Sequence, residues 1–493
     1  MIAVNAVARR GRIVLPSLAS GLLLALSLPP WGWWPLGLAG AGLLYWRLAA
    51  LPWASRLWSG WWAGIGCFAL GLMWARAFNW YGALVLILLE ALFMAAAAGL
   101  TPPRRGRAPA YVAAFTLTEA IRMTWPFGGL PLGGVFLGQA DGPLLPLARL
   151  GGPLLLTAAV WAGGVGVATF VCGMDRVRVR GAIVLLGLVL LVLVAAVAPD
   201  GGPPVRTISV ALVQGGGRRG LNQEEVPPAT VFTAQLAANV HVGRHGPSPS
   251  LVLWPEDVIA LSGSLVGSPQ EATMSRLARH LRATLVAGVT EPVSPTAFRN
   301  EIVAWGPNGH IVATFEKVHR VPFGEYVPFR SFVSHLADLS QVPLDAVPGH
   351  GTGLMRTPAG PLGALVSFEV FYASRSRTSV RAGAELLVVP TNTSSYSTAQ
   401  IPTQEVAADA VQAVETGRDL VQAAPTGYTT VVNQVGTVVQ RSVLGRPAVV
   451  SATTAMRRGF TVYDHLGDLP VLLVALVALA AGWRRQRRSD RHS

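Results

Sequence analysis

The chain has 493 residues, of which 51% are hydrophobic and 13% charged, and its mean hydropathy of +0.45 excludes an ordinary soluble protein of this length. Its net charge of +14 does not indicate nucleic-acid binding, because residues 200–467 hold 20 basic and 19 acidic side chains while the remainder holds 19 basic and 6 acidic ones. The only two cysteines, Cys67 and Cys172, lie in apolar segments, which excludes a disulfide framework.

Seven apolar segments precede residue 200, and an eighth closes the chain. Most approach the twenty or so residues that a helix needs to cross the hydrocarbon of a bilayer. The first is interpreted as a retained anchor, because "SLPPWGWW" offers no small-residue cleavage site for a signal peptidase. The sequence therefore predicts eight membrane-spanning helices, at about 13–29, 35–50, 58–75, 82–100, 109–125, 150–172, 181–198 and 469–483.

Arginines outside residues 200–467 concentrate in alternate connections between these segments. Short arginine-rich connections stay in the cytoplasm. The pattern predicts that both termini are cytoplasmic and that residues 200–467 are outside. The sixteen arginines that carry it are Arg9, Arg10, Arg12, Arg47, Arg56, Arg104, Arg105, Arg107, Arg176, Arg178, Arg180, Arg484, Arg485, Arg487, Arg488 and Arg491.

Ionisable side chains also occur inside the predicted spans. Glu119 and Arg122 are three residues apart and therefore face one side of a helix. Charged groups in a bilayer are costly and are usually functional or paired with one another. We expect Glu119 and Arg122 to form a membrane-embedded pair. Glu90, within "LVLILLEALFM", has no partner nearby in the sequence.

The linker "APDGGPP" at 198–204 begins a segment of different composition. The predicted domains are residues 1–199, 200–467 and 468–493. Within the middle one, helical spacing near 222–243, 270–282, 372–382 and 404–417 alternates with apolar runs that are typical of strands in sheets covered on both faces. These runs predict an α/β domain; they are "TISVALVQG", "SLVLWPE", "ATLVAGVT", "EIVAWGP", "HIVATFEK", "GALVSFE", "ELLVVPTN", "DLVQAAP" and "YTTVVNQVG".

Polar residues follow three of these runs. Glu256 follows "LVLWP", Lys317 follows "IVATFE", and Ser367 with Glu369 ends "GALVSFE". Ligand sites of open α/β sheets gather beyond the carboxyl ends of strands, and these groups could supply a base, an electrophile and a nucleophile. Lys317 is also the only lysine in a chain with 38 arginines. Taken singly, each residue has a structural alternative, such as capping the next helix or facing solvent.

Several stretches resemble one family, the bacterial apolipoprotein N-acyltransferases. They are "VALVQG", "LVLWPE", "RNEIVAWGPNGHIVATFEKVHRVPFGEYVP" and "TEAIRMTWPFGGLPLG". The resemblance covers nearly the whole chain. It implies eight spans in the bacterial plasma membrane, with a nitrilase-like αββα sandwich inserted outside the cell before the last span. It also implies transfer of an acyl chain from a phospholipid to the α-amino group of a diacylglyceryl-cysteine lipoprotein, without a cofactor. The histidines and cysteines show no metal-ligand spacing.

The resemblance implies roles for particular residues. Glu256 matches the general base, Lys317 the cation that stabilises the tetrahedral oxyanion, and Glu325 and Glu369 further acids that shape the site. The family's Cys-Tyr/Trp-Glu pattern is here Ser367-Phe368-Glu369. A thiol ionises near pH 8.5, whereas a hydroxyl is a far weaker acid and depends on an adjacent base.

The serine leaves three functions open. The chain could be an active acyltransferase that forms an ester on Ser367, with Lys317 buried, neutral and acting as the base. It could instead be an impaired relative that binds lipoprotein or lipid, or modulates an active paralogue; altered loops such as "TNTSSYS" at 391–397 favour that reading. Amide hydrolysis is the weakest alternative, because eight spans indicate lipid substrates.

Overall fold

The computed structural model describes residues 2–220, 225–243, 248–335, 338–340 and 342–491, with the backbone alone for residues 2–13. The chain divides into two compact units. One comprises residues 1–198 and 465–493, and the other comprises residues 199–464.

The first unit is helical, and each predicted apolar segment forms a helix. Seven helices come first, and an eighth, α14 (Leu469–Asp490), ends the chain. The sixth helix, α6 (Ala148–Cys172), is broken at Gly151 and Gly152, whose backbone leaves the helical conformation just before Pro153. The first seven are α1 (Ile2–Leu26), α2 (Trp34–Arg47), α3 (Trp53–Gly71), α4 (Trp80–Leu100), α5 (Arg107–Arg122), α6 (Ala148–Cys172) and α7 (Asp175–Val197).

The helices differ in their suitability for crossing a membrane. Among the described residues, four segments are long and apolar enough: α4, residues 145–172, α7 and α14. With 14 residues, α2 is about 21 Å long, shorter than the ~30 Å hydrocarbon layer. The apolar side chains of α7 point outward, and Ile183, Leu190 and Val194 are all more than half exposed. This unit therefore has apolar helices suited to a membrane, and the number of crossings stays a prediction.

Small residues allow the helices of this unit to pack closely. A Cβ atom on Gly21 of α1 would collide with the backbone carbonyl of Ala63 on α3. One on Gly64 of α3 would lie 2.6 Å from the Cα atom of Ala91 on α4. Glycine at such contacts brings helix backbones together, which is the usual means of packing helices in lipid.

The second unit contains two mixed sheets. The strand order of the first is β14-β1-β2-β4-β5-β6, with β3 beside β4 and β7 beside β5; that of the second is β13-β12-β11-β10-β9-β8. The strands are β1 (Arg206–Gln214), β2 (Leu251–Leu253), β3 (Ile259–Ala260), β4 (Thr284–Ser294), β5 (Ala297–Trp305), β6 (Ile311–Glu316), β7 (Asp345–Ala346), β8 (Leu354–Thr357), β9 (Gly360–Ala364), β10 (Leu386–Pro390), β11 (Leu420–Ala423), β12 (Thr430–Val432), β13 (Val438–Arg441) and β14 (Ala448–Met456).

The two sheets pack face to face, and helices cover their outer faces. Leu212, Leu253 and Ile302 of the first sheet share one buried core with Val388 and Val421 of the second. α8 (Pro228–Asn239) and α9 (Pro269–Leu281) pack on the first sheet, while α11 (Ala373–Arg381) and α12 (Gln400–Thr416) pack on the second. This is the predicted αββα sandwich. Its helices are α8 (Pro228–Asn239), α9 (Pro269–Leu281), α10 (Arg330–Val333), α11 (Ala373–Arg381), α12 (Gln400–Thr416) and α13 (Val462–Leu466).

Strand direction brings polar residues to the ends of the sheets. β1, β2 and β4 are parallel, and β6 runs with β4 because β5 is antiparallel to both. In the second sheet β9, β10 and β11 are parallel. Glu256 and Lys317 therefore follow the carboxyl ends of strands that run the same way in one sheet.

The predicted secondary structure needs few corrections. All nine predicted strands and the four predicted helices form, although residues 222–224 of the first helical segment lie outside the described part. The run "GALVSFE" predicted a strand that extends to Ser367, but β9 ends at Ala364. Ser367 instead begins a short 3-10 turn, Ser367–Phe371. Five strands were not predicted: the short β3, β7, β8 and β13, and the edge strand β14, which pairs with β1 over its full length.

Candidate active site

Lys317 lies between two carboxylates at the carboxyl end of β6. Its Nζ atom is 2.8 Å from Glu256 Oε1 and 2.6 Å from Glu325 Oε1. The Nδ2 amide of Asn300 donates to the same two oxygens, at 2.9 and 3.2 Å. The Lys317 side chain is 2% exposed. Three residues predicted from sequence thus form one buried cluster, and Asn300 is a fourth member that sequence reasoning missed.

The charge state of Lys317 follows from this cluster. Burial by itself lowers the pKa of Lys317, but the charges and hydrogen bonds of Glu256 and Glu325 outweigh it and raise the pKa above its ordinary value. The ammonium therefore keeps its proton. The hypothesis that Lys317 is neutral and acts as a base is wrong, because desolvation here is accompanied by two anionic partners. A permanent cation in this place suits stabilisation of an oxyanion.

Ser367 is held in a constrained backbone conformation. Its φ angle is +50°, in the left-handed region that few residues other than glycine adopt. Such strain is characteristic of functional positions that the surrounding structure fixes. The Ser367 Oγ atom lies 3.2 Å from Thr391 Oγ1, just after β10. Among the described residues, Ser367 makes no side-chain hydrogen bond to Glu256 or Lys317.

Glu369 joins the Ser367 turn to the segment that follows Lys317. Its Oε1 atom accepts hydrogen bonds from the N–H groups of Val318 and His319, at 2.9 and 3.1 Å. Its Oε2 atom accepts from the N–H of Val366, at 2.8 Å. Glu369 is fully buried, and burial raises its pKa despite the nearby Arg375. This carboxylate therefore positions both functional segments and does not itself face an open site.

Aromatic packing supports the same turn. The Phe368 ring meets Tyr372 edge-on, with 5.2 Å between centroids. The His319 ring stacks on the ring of Tyr372, with 4.2 Å between the ring centroids. Burial lowers the pKa of His319 to about 4, so the imidazole is neutral. His319 thus packs as a structural residue.

A second buried carboxylate, Glu405 of α12, contacts Thr391. Glu405 Oε1 accepts a short hydrogen bond from the Thr391 hydroxyl, and Glu405 is 1% exposed. Sequence reasoning missed Glu405 because it belongs to no motif and reaches the site only through the packing of α12. Thr391 begins the "TNTSSYS" stretch, which the sequence analysis had noted only as a divergent loop.

Two protein-family models match this chain, one in each unit. The apolipoprotein N-acyltransferase N-terminal domain model matches residues 20–166, and the carbon-nitrogen hydrolase model matches residues 244–455. The apolipoprotein N-acyltransferase of Mycolicibacterium smegmatis is 30% identical over 510 residues, which cover 94% of this chain and 84% of that protein. This chain belongs to the apolipoprotein N-acyltransferase family. It is accordingly an acyltransferase of the carbon-nitrogen hydrolase superfamily.

Other apolipoprotein N-acyltransferases match over comparable lengths. Those of Pseudomonas aeruginosa and Azotobacter vinelandii are 27% and 28% identical, covering 94% and 96% of this chain and 94% and 95% of theirs. The crystal structure of Saccharomyces cerevisiae Nit3, from branch 10 of the nitrilase superfamily, covers 52% of this chain and 93% of its own. It has 17% identity and a TM-score of 0.40.

The apolar unit of this N-acyltransferase family member contains its own ionic cluster. Arg122 Nη2 lies 2.7 Å from Glu119 Oε1, as the predicted pairing requires. Arg122 Nη1 lies 3.1 Å from Glu90 Oε2 and also donates to the carbonyls of Leu130 and Leu132. Glu90, which has no charged partner nearby in the sequence, thus pairs with the buried Arg122, 32 positions further along the chain. Two carboxylates of this cluster thus share one guanidinium.

Proposed function

We propose that this chain acylates the N-terminal α-amino group of diacylglyceryl-cysteine lipoproteins, with a phospholipid as acyl donor and an ester on Ser367 as intermediate. The observation that carries this proposal is the buried Lys317 ammonium between Glu256 and Glu325. Such a fixed cation stabilises the negative charge that develops on a carbonyl oxygen during acyl transfer. Family membership over 94% of the chain supports lipoprotein and phospholipid as the substrate classes.

The proposed reaction has two halves. Ser367 Oγ attacks the ester carbonyl of the phospholipid, while Lys317 stabilises the oxyanion and a lysophospholipid departs. The α-amino group of the lipoprotein then attacks the ester on Ser367, and Glu256 takes the proton that the nitrogen releases. Glu325 keeps Lys317 in place, and Glu369 with Phe368 fixes the turn that presents Ser367.

Intact-protein mass spectrometry tests the proposal. The full-length protein, in detergent with phosphatidylethanolamine and phosphatidylglycerol that carry deuterated acyl chains, should gain one labelled acyl group on Ser367. Addition of a synthetic diacylglyceryl-cysteine peptide should remove that group and yield acylated peptide. Ser367→Ala should gain no label. A wild-type protein that stays unlabelled throughout would refute the proposal and favour a role in binding.

We further propose that the chain crosses the plasma membrane eight times, with both termini in the cytoplasm and residues 200–467 outside. The alternation of arginine-rich connections supports this topology. In a background with Cys67 and Cys172 replaced by alanine, Ser264→Cys should react with a membrane-impermeant maleimide on intact cells. Arg105→Cys should react only after the cells are permeabilised. The reverse labelling pattern would contradict the topology.

A further inference from the structure

Thr391 connects the proposed nucleophile to a carboxylate that the family roles leave unused. A threonine hydroxyl carries a single hydrogen, so it cannot donate to two acceptors at once. Thr391 Oγ1 makes its shorter contact with Glu405 Oε1 and lies 3.2 Å from Ser367 Oγ. In the structure the Thr391 hydroxyl is oriented to donate to either Ser367 Oγ or Glu405 Oε1. Hydroxyl hydrogens rotate, so when Thr391 donates to Glu405, a turn of the Ser367 hydroxyl lets the Thr391 oxygen accept the hydrogen of Ser367. The three groups then form a continuous path from the serine to the carboxylate.

The surroundings of Glu405 suit a proton acceptor. Thr391 and Glu405 are 0% and 1% exposed, so water does not compete for these hydrogen bonds. Glu405 Oε2 is buried and has no hydrogen-bond partner among the described residues. A buried carboxylate held by one hydrogen bond is poorly stabilised as an anion. It therefore gains more from accepting a proton than a fully hydrogen-bonded carboxylate such as Glu369 does.

We propose that Glu405 accepts the proton of Ser367 through Thr391 and thereby activates the hydroxyl that stands in place of the family's cysteine. This inference rests on the proposed function. Glu256 is less suited to this step, because its Oε1 atom is bound to Lys317 and Asn300 and no described hydrogen bond joins it to Ser367.

Over the two half-reactions, Ser367, Thr391 and Glu405 regain their original protonation states. In the first, the Ser367 Oγ–C bond forms and the phospholipid ester C–O bond breaks. The serine proton moves to Thr391 as the threonine proton moves to Glu405, and the lysophospholipid oxygen takes a proton from solvent. In the second, the amide N–C bond forms and the Oγ–C bond breaks. Glu405 returns its proton through Thr391 to Ser367, and the proton from the amine leaves through Glu256 to solvent.

The relay has a distinctive dependence on pH. Burial raises the pKa of Glu405 to about 8, partly opposed by the Thr391 hydrogen bond. Other charged or titratable groups around Glu405 are Glu256, Lys317, Tyr396 and Asp409. Below this pKa Glu405 is protonated and cannot accept the serine proton. Because Glu405 ionises as the pH rises through about 8, acylation of Ser367 should accelerate over the same range.

The test measures the rate of Ser367 acylation between pH 6 and 9.5 with the labelled phospholipids. Wild type should show the rise near pH 8. Glu405→Gln and Thr391→Val should acylate about 100-fold more slowly at pH 9 and lose the rise, since a positioned general base contributes roughly 10²–10⁴-fold. Thr391→Ser keeps the hydroxyl and should keep both rate and profile. Glu415→Gln removes another buried carboxylate from α12 and should leave both unchanged.

The Ser367→Cys variant distinguishes a proton relay through Glu405 from a purely structural role of Glu405. Because a thiol ionises without the relay, Ser367→Cys should acylate equally fast with and without Glu405→Gln. Equal rates also show that the glutamine variant folds. A Glu405→Gln single variant with the rate and pH profile of wild type would overturn the relay and leave the proposed function intact. A wild type that stays unlabelled at every pH would overturn the proposed function itself.

Discussion

Lys317→Arg should lower the rate of Ser367 acylation by about a thousandfold, the upper end of the effect of removing one oxyanion donor. The charge is retained, but the guanidinium is planar and broader than an ammonium. Glu256 and Glu325 approach Nζ to 2.8 and 2.6 Å, which leaves a space shaped for a compact group. A fork bound to both carboxylates would not present an N–H to the carbonyl oxygen of the substrate. The rate is measured by intact-protein mass spectrometry with labelled phospholipid.

A matched substitution controls for the general effect of exchanging the two cations. Arg330→Lys alters a partly exposed arginine that pairs with Asp345 in the same unit, and it should leave the acylation rate within about twofold, since exposed ion pairs contribute little. Thermal unfolding of both variants shows whether the fold is retained. If Lys317→Arg folds and keeps a tenth or more of the wild-type rate, the ammonium is not the oxyanion group.

Ser367→Cys should raise the acylation rate about a hundredfold at pH 8. A thiol has a pKa near 8.5, whereas a hydroxyl must be deprotonated during attack. If the hydroxyl is harder to ionise than the thiol by three pKa units, the difference is ~4 kcal/mol, or roughly a thousandfold in rate. A relay through Thr391 that assists deprotonation of Ser367 reduces this disadvantage, so we expect a smaller factor. The measurement is again the rate at which the labelled acyl group appears.

The chain supplies its own control for thiol reactivity. Cys172 is exposed, and the acyl group should be found by peptide mapping at position 367 and not at Cys172. A Ser367→Cys protein that is no faster than wild type would mean that hydroxyl ionisation does not limit acylation. In that case the serine would not be the reason for any loss of activity relative to cysteine-containing relatives.

Local patterns in the sequence predicted most of the fold. Apolar segments and strand runs carry their signal in consecutive residues, so all eight helices and nine strands could be located. Five of the fourteen strands were missed: β3, β7, β8 and β13 have only two to four residues each, and β14 was missed although its nine residues include four β-branched side chains. The left-handed conformation of Ser367 was also not visible, since serine carries no signal for it.

Sequence motifs predicted only some of the residues of the site. Glu256, Lys317 and Glu325 were found because they follow strands or lie in the uninterrupted "KVHRVPFGEYVP". Asn300, Thr391 and Glu405 were missed because long-range packing brings them in. The pairing of Glu90 with Arg122 was missed for the same reason. For Lys317 the sequence left two charge states open, a cation and a neutral base. Burial alone favours a neutral amine, but the two carboxylates at hydrogen-bond distance favour the ammonium.

Glu369 links the turn that begins at Ser367 to the segment that follows Lys317. One carboxylate accepts hydrogen bonds from the backbone beside both residues, so a displacement of one segment also displaces the other. In the proposed reaction a single ester on Ser367 joins the two halves, so we expect the lysophospholipid to leave before the amine reacts. Double-reciprocal plots at several lipoprotein concentrations should accordingly be parallel.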